Sequence, residues 1–280
     1  MEYLNPEIPE GINAGREHPL QEFVLLVGGI LGCIALIVAA LSLAAERLVV
    51  YVPFAMEEKI AVNPPWPDEK DNSDISGYLQ GLSDQLAIHM EIPQDISFHI
   101  HYLDHDSENA FAGLGGNIYI FRGLLNLMPN ENALAMVIAH EMAHVIHRDP
   151  LAAMGRGVVI GMFLMSVAGL SGDYFTGQVV NDAGMITMLT FNRKQERAAD
   201  RSALAAVAAR YGHVAGAADL FIILRKLEQD MPLRPPQFLS THPVSEERLQ
   251  ELEKYAAENY WLPLGSLTPI PVIFHGSKVN

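Results

Sequence analysis

His140-Glu141-Met142-Ala143-His144 sets two imidazoles and one carboxylate at the spacing that a hydrolytic zinc site requires. On an α-helix, residues four apart lie on one face with Cβ atoms about 6 Å apart, so both rings can reach one metal ion. Glu141 projects beside that pair, where it can hold a water on the metal without being a ligand itself. Each residue type is needed: neutral imidazole is a borderline ligand suited to zinc, and the carboxylate is a base beside the water. In a chain with 11 histidines such a pentad arises by accident at roughly the few-per-cent level, so its surroundings must decide.

Those surroundings are helical. Asn130 follows Pro129 as an N-cap, apolar residues recur at helical spacing up to Ala139, and Pro150 predicts the helix end at about Arg148 or Asp149. The alternative is a helix with two incidental surface histidines. A catalytic zinc takes three protein ligands and keeps one position for water, so a third ligand must come from elsewhere. Glu196 is the expected one, four residues before Asp200 in the alanine-rich helical run from Asn192 to Asp200. Its separation from the pentad implies a second helix packed across the first. Asp200, one turn on, is placed to hydrogen-bond a zinc-bound imidazole. Without the pentad, the same segment reads as a solvated helix face.

The pair His-Glu-Met-Ala-His and Glu-Arg-Ala-Ala-Asp resembles the membrane-associated zinc peptidases of the HtpX and CAAX prenyl endopeptidase type. The resemblance runs from about Ile60 to Leu252. It implies a gluzincin fold, α+β and mainly helical, with a small sheet and one zinc ion per chain. Asn109-Ala110-Phe111-Ala112, before the glycine-rich 113–117, is similar to the family's edge strand beside the cleft. Thr241-His242-Pro243 is similar to a downstream element whose histidine faces the active site. HtpX carries four membrane helices, whereas this chain shows one convincing span.

From these residues the expected chemistry is metal-assisted peptide hydrolysis in unfolded or damaged polypeptides. Glu141 acts as general base and returns the proton to the leaving amine. His242 is a candidate donor to the developing oxyanion, or else a histidine that starts a turn before the helix near Ser245. The strand at Asn109 to Ala112 would bind substrate main chain by strand addition, or is an ordinary edge strand. Two rivals stand beside this reading: an assembly factor that keeps the zinc fold but seldom cleaves, and a hydrolase of non-peptide substrates.

Length and charge bound the rest. The 280 residues, with a net charge of −15, suit one globular domain with an anchor. The balance of 18 basic against 33 acidic residues, without arginine-rich patches, opposes nucleic-acid binding. Phe23 to Ala45 holds no charged side chain and makes about 35 Å of helix, enough to cross a bilayer. Glu22 and Glu46-Arg47 bound it. The first 22 residues are acidic with a single arginine, unlike a cleaved signal peptide, so a retained single-pass anchor is expected. Arg16 before the span and Arg47 after it give no charge asymmetry. The expected setting is a bacterial inner membrane with the domain on its periplasmic side. Cys33, the one cysteine, lies in the span and is compatible with either redox compartment. Gly28 and Gly32 could support homo-oligomer formation through the anchor.

The expected division is a tail at 1–22, an anchor at 23–45, a proline-rich connector at 46–72 that stands the domain off the bilayer, a peptidase domain at 73–260 and a tail at 261–280. Helices are expected at 73–90, 215–230 and 245–259, and strands at 97–103, 110–112 and 117–121. His99, His101 and His105 read as the polar face of a strand, the alternative being a second metal site. His147 reads as a helix cap carrying partial positive charge. The apolar stretch 157–170 is too short to span comfortably. It reads either as core or as one arm of a lipid-touching hairpin with 185–191.

Overall fold

The computed structural model describes residues 19–61, 73–168 and 191–274. The apolar run folds as α1 (Pro19–Leu48), longer than 23–45 at both ends, and none of its residues is buried except at its junction with the domain, where Val49 follows. Among the described residues it is the one helix long and apolar enough to cross a membrane. A 3-10 turn at Val49–Tyr51 leads to α2 (Phe54–Ile60), which the sequence pattern does not announce. Phe54 and Glu57 are buried, so this half of the connector docks on the domain and does not stand it off. The proline-rich half, 63–67, lies outside the described residues.

Helix α3 (Ser73–Ala87) turns Ile75, Leu79, Leu82 and Leu86 inward, as their spacing predicts, and stops three residues short of Met90. The sheet has the order β1-β3-β2, with β1 (His99–Leu103) parallel and β2 (Ala110–Ala112) antiparallel to the central β3 (Asn117–Phe121). His99 is exposed and His101 half-buried on one face of β1, while Ile100 and Tyr102 are buried on the other. The β2–β3 turn needs glycine at Gly116, whose φ is +77° and where a Cβ would strike the Ser97 carbonyl.

In the β2–β3 ladder, Phe121 N donates to Asn109 O at 3.1 Å and Gly113 N to Asn117 O at 2.6 Å. Residues 109, 111 and 113 therefore face β3 with their main-chain groups. The antiparallel alternation turns those of Ala110 and Ala112 away from β3, and both residues are buried.

Short α4 (Arg122–Leu125) leads to α5 (Glu131–Ile146), the helix with the pentad. Its N-cap Asn130 accepts from Ala133 N at 2.9 Å, and every residue from Glu131 to Val145 is buried. A helix buried on all sides is the centre of a domain, and α3, β2 and a later helix pack around it. It ends at Ile146, with His147 as C-cap, earlier than Pro150 predicts. Arg148 has a φ of +60°, and α6 (Asp149–Ala168) starts at once, so Pro150 does not terminate a helix but occupies the first turn of the next. Partial desolvation and the neighbouring imidazoles lower the His147 pKa, against the pull of Asp149.

Helix α6 packs along α1. Arg156 Nη1 lies 2.6 Å from Glu46 Oε1, and a Cβ on Gly155 would stand 3.3 Å from Ala45. The proposed hairpin partner of 157–170 lies outside the described residues except for Phe191. After it come α7 (Arg193–Tyr211), α8 (Asp219–Asp230), the unanticipated α9 (Gln237–Thr241) and α10 (Glu246–Glu258). Helix α8 starts four residues later than expected because 215–218 form turns around Gly216, where φ is +82°. The segment after Trp261 is no loose tail: Thr268 O accepts from Glu131 N at 2.9 Å and Phe274 is buried edge-on against Tyr78.

Candidate metal centre

Two helices and one turn build the site. α5 presents His140, Glu141 and His144; α7 packs across it and presents Glu196 and Asp200; and His242 follows the last turn of α9. The start of α7 is fixed by a capping box. Asn192 accepts from Lys194 N at 3.0 Å and Gln195 N at 3.1 Å, while Gln195 accepts from Asn192 N at 3.0 Å. Glu196, one residue into the helix from that box, is thereby held toward α5.

Donor atoms of His140, His144, Glu196 and His242 all lie within 4.8 Å of one another, and all four side chains are buried. His140 Nε2 and His144 Nε2 are 3.1 Å apart, and Glu196 reaches them at 3.6 and 3.4 Å. His242 Nδ1 lies 2.9 Å from Glu196 Oε1 and 3.3 Å from His140 Nε2. The far nitrogens face carboxylates: His140 Nδ1 is 3.1 Å from Asp200 Oδ1, and His144 Nδ1 is 2.8 Å from Asp149 Oδ2. With Nδ1 turned to an acid, each Nε2 is the lone-pair nitrogen aimed at the common centre, as a metal-binding imidazole requires.

Charge in the site follows from these pairs. Burial works against protonation of both imidazoles, but Asp200 and Glu196 raise the pKa of His140, and Asp149 and Glu196 push His144 up to about 9. Burial also opposes ionisation of Glu196, yet the adjacent His242, His140 and His144 hold its carboxyl well below the usual range. Asp200 is lowered in the same way, burial being outweighed chiefly by Arg248. Arg248 Nη1 is 2.6 Å from Glu196 Oε2, and its Nε and Nη2 lie 2.5 and 2.7 Å from the two Asp200 oxygens. This bidentate clamp favours the ionised form of Asp200.

The donor set fits a divalent cation such as zinc. Buried polar atoms normally find partners, yet among the described residues both Glu141 oxygens and His242 Nε2 have no hydrogen-bond partner. Glu141 Oε1 stands 3.4 Å from that nitrogen. A cluster of convergent donors beside a partnerless carboxylate is poorly explained as packing alone and well explained as a place for an ion and a reactant.

The structure thus brings together His140, Glu141, His144, Glu196, Asp200 and His242. Ala110, Phe111 and Ala112 form β2, which packs against α5 and α9; Asn109 immediately precedes it, and its fully buried amide has no hydrogen-bond partner among the described residues. Asp149, Gln195, Arg248 and Phe191 were not singled out from the sequence. Gln195 Nε2 donates to Asp149 at 2.6 Å, tying the cap of α7 to the partner of His144. Phe191 stacks on His144 with ring centroids 4.1 Å apart. The one sequence signal for Asp149 is an acid five residues after His144 and immediately before a helix-starting proline. Arg248 carries no such signal, since an arginine in the first turns of an amphipathic helix reads as surface.

The chain is 28% identical over 193 residues to the Escherichia coli Beta-barrel assembly-enhancing protease, covering 65% of this chain and 39% of that one. It is 30% identical over 172 residues to the Schizosaccharomyces pombe Mitochondrial metalloendopeptidase OMA1, covering 60% and 48%. Against the Escherichia coli Metalloprotease LoiP it is 28% identical over 201 residues, covering 70% and 74%. The chain thus spans less than half the length of the first two. The pattern of Peptidase family M48 matches residues 74–256, the part that holds every donor of the centre, and the chain belongs to that metallopeptidase family.

Proposed function

We propose that this chain is a membrane-anchored zinc endopeptidase that hydrolyses peptide bonds in unfolded or damaged membrane or envelope polypeptides. The observation that carries the reading is Glu141, a wholly buried carboxylate whose oxygens find no hydrogen-bond partner among the described residues, beside four convergent donors. His140, His144 and Glu196 would hold one zinc ion, with Asp200 behind His140. Zinc bound there supplies Lewis acidity to a carbonyl and to water. Glu141 takes a proton from the attacking water and hands it to the leaving amine. His242 Nε2, 3.4 Å from Glu141 Oε1 and without a hydrogen-bond partner among the described residues, would donate to the carbonyl oxygen as charge develops on it. The outward main-chain groups of Ala110 and Ala112 would pair with an extended substrate, giving affinity with little dependence on side chains. The donors are wholly buried, so peptide entry requires the covering residues, Phe191 among them, to move.

The bilayer would be engaged through 23–45. The proposed location is the periplasmic face of a bacterial inner membrane, with association through Gly28 and Gly32 as the route to an oligomer. The domain division proposed is 1–22, 23–45, 46–72, 73–260 and 261–280. One relative is named for β-barrel assembly and another as mitochondrial, which supports a role in the upkeep of membrane-bound proteins.

The test is purified full-length protein with unfolded casein. Chelator-sensitive degradation is expected, and Glu141→Gln should lower the rate by about 10² to 10⁴ while zinc content stays unchanged. Intact casein with wild type and bound zinc would favour the assembly-factor reading. Alkaline carbonate extraction tests the anchor, and protease accessibility in spheroplasts tests the side.

A further inference from the structure

Glu57 belongs to α2, just beyond the proposed anchor, and is wholly buried. Its Oε2 pairs with Arg148 Nε at 2.6 Å, and its Oε1 accepts from Gly115 N at 3.2 Å. Arg148 also donates to the Val52 carbonyl at 3.1 Å, and its guanidinium stands 5.4 Å from the centre of the Phe54 ring. One buried carboxylate therefore joins three segments: the chain leaving α1, the turn between β2 and β3, and the link between α5 and α6.

That link has an unusual conformation. Arg148 and Tyr260 are the two non-glycine residues with positive φ among the described ones, and at +60° Arg148 lies in a region that L side chains enter at a cost. The left-handed residue reverses the chain between two helices. It turns its neighbour Asp149 back so that Oδ2 lies 2.8 Å from His144 Nδ1. Such conformations persist where surrounding contacts over-determine them, and the contacts to Glu57, Val52 and Phe54 do so here.

We propose that Glu57 and Arg148 are positioning residues for the metal centre: their ion pair holds the α5–α6 link in the geometry that aims Asp149 at His144. The orientation of one metal-binding imidazole thereby depends on the segment immediately outside the membrane anchor. The inference rests on the reading of His144 as a ligand. A carboxylate on Nδ1 fixes the tautomer and raises the basicity of Nε2, and loss of such a partner typically weakens metal binding 10- to 100-fold. Without Glu57, Arg148 is left with an uncompensated charge against the domain, and its withdrawal toward water releases the turn.

The experiment measures zinc affinity by chelator competition, and the visible spectrum of the cobalt-substituted protein, on the full chain in detergent. Asp149→Asn should weaken zinc binding 10- to 100-fold, and Glu57→Gln about tenfold, with a shifted cobalt spectrum in both. Arg148→Gly keeps the left-handed turn available while removing the guanidinium, and should match Glu57→Gln. The double variant Glu57→Gln/Asp149→Asn should bind no more weakly than Asp149→Asn alone, because both act on one ring. A purely structural pair would lower the unfolding temperature and leave affinity and spectrum unchanged. Wild-type affinity in Glu57→Gln, or additive losses in the double variant, overturns the inference. Should Glu57→Gln not fold, Arg148→Lys carries the test, since lysine keeps the charge but cannot make both contacts. Intermediate weakening is then expected, and unchanged affinity overturns the proposal. Wild type that takes up no zinc overturns the metal-site reading itself, and needs no variant to be seen.

Discussion

Helix α5 buries a carboxylate near each of its ends, and the two have opposite surroundings. Glu131, in the first turn, accepts hydrogen bonds from Tyr78, from Tyr211 at 2.7 Å and from Arg210 at 3.2 Å. Burial opposes its ionisation, but these three donors outweigh it and hold the carboxyl below the usual range. Glu141, ten positions on, is wholly buried and has no hydrogen-bond partner for either oxygen among the described residues. A saturated buried acid is part of the scaffold, because every cost of burying it has been met by a fixed protein group. An unsaturated one waits for something the protein does not supply, which is the character of a reacting group.

The contrast can be broken at three levels. The largest effect is expected at the shared centre: Glu196→Ala should reduce bound zinc from one per chain to near none and abolish hydrolysis, read by metal analysis after gel filtration. Zinc retained at wild-type affinity would remove Glu196 from the ligand set. Next comes the saturated acid. Glu131→Gln should cost about 1–3 kcal/mol of unfolding free energy, because three donors lose a charged acceptor. Its hydrolysis rate per folded molecule should stay unchanged, whereas Glu141→Gln should show the reverse pattern. A loss of rate in Glu131→Gln without loss of stability would collapse the distinction.

The smallest effect is a pH dependence. The lowered Glu131 pKa gives stability that is present above its ordinary value, about 4.3, and is lost as pH falls through the folded value. Tyr78 and Tyr211 shift the other way, since burial, with the charge of Glu131 added, raises both phenols above their usual range. Their contribution is present below about pH 10 and is lost as pH rises beyond it. Unfolding temperature against pH should therefore fall at both extremes, and Glu131→Gln should flatten the acid limb and shallow the alkaline one. An unchanged acid limb in that variant would show that Glu131 is not held as the contacts imply.

Much of the centre was legible because its parts are local. The pentad needs only helical periodicity, Glu196 and Asp200 need only a one-turn spacing, and Asn130 is an N-cap by residue type and position. Positions whose roles depend on packing were not legible. Arg248 looks like a surface arginine until α10 lies against α7. Asp149 looks like the end of a helix until a left-handed Arg148 turns it back. The connector at 49–61 and the segment after Trp261 carry apolar residues interrupted by prolines and without a sustained helical or strand period, so a pattern reading leaves them outside a domain to which Phe54 and Phe274 bind them.

The order of residues along the chain determined, by itself, a long apolar helix, a helix with two histidines and an acid one turn-length apart, and a second acidic helix, because hydrogen-bond periodicity and side-chain type act over four residues. Which groups complete the coordination and which hold the ligands in place was decided only by the tertiary structure. His242 and Arg248 meet the centre from elements far along the chain, across distances over which no local periodicity carries information, and Asp149, five residues after His144, reaches it only through the left-handed turn at Arg148.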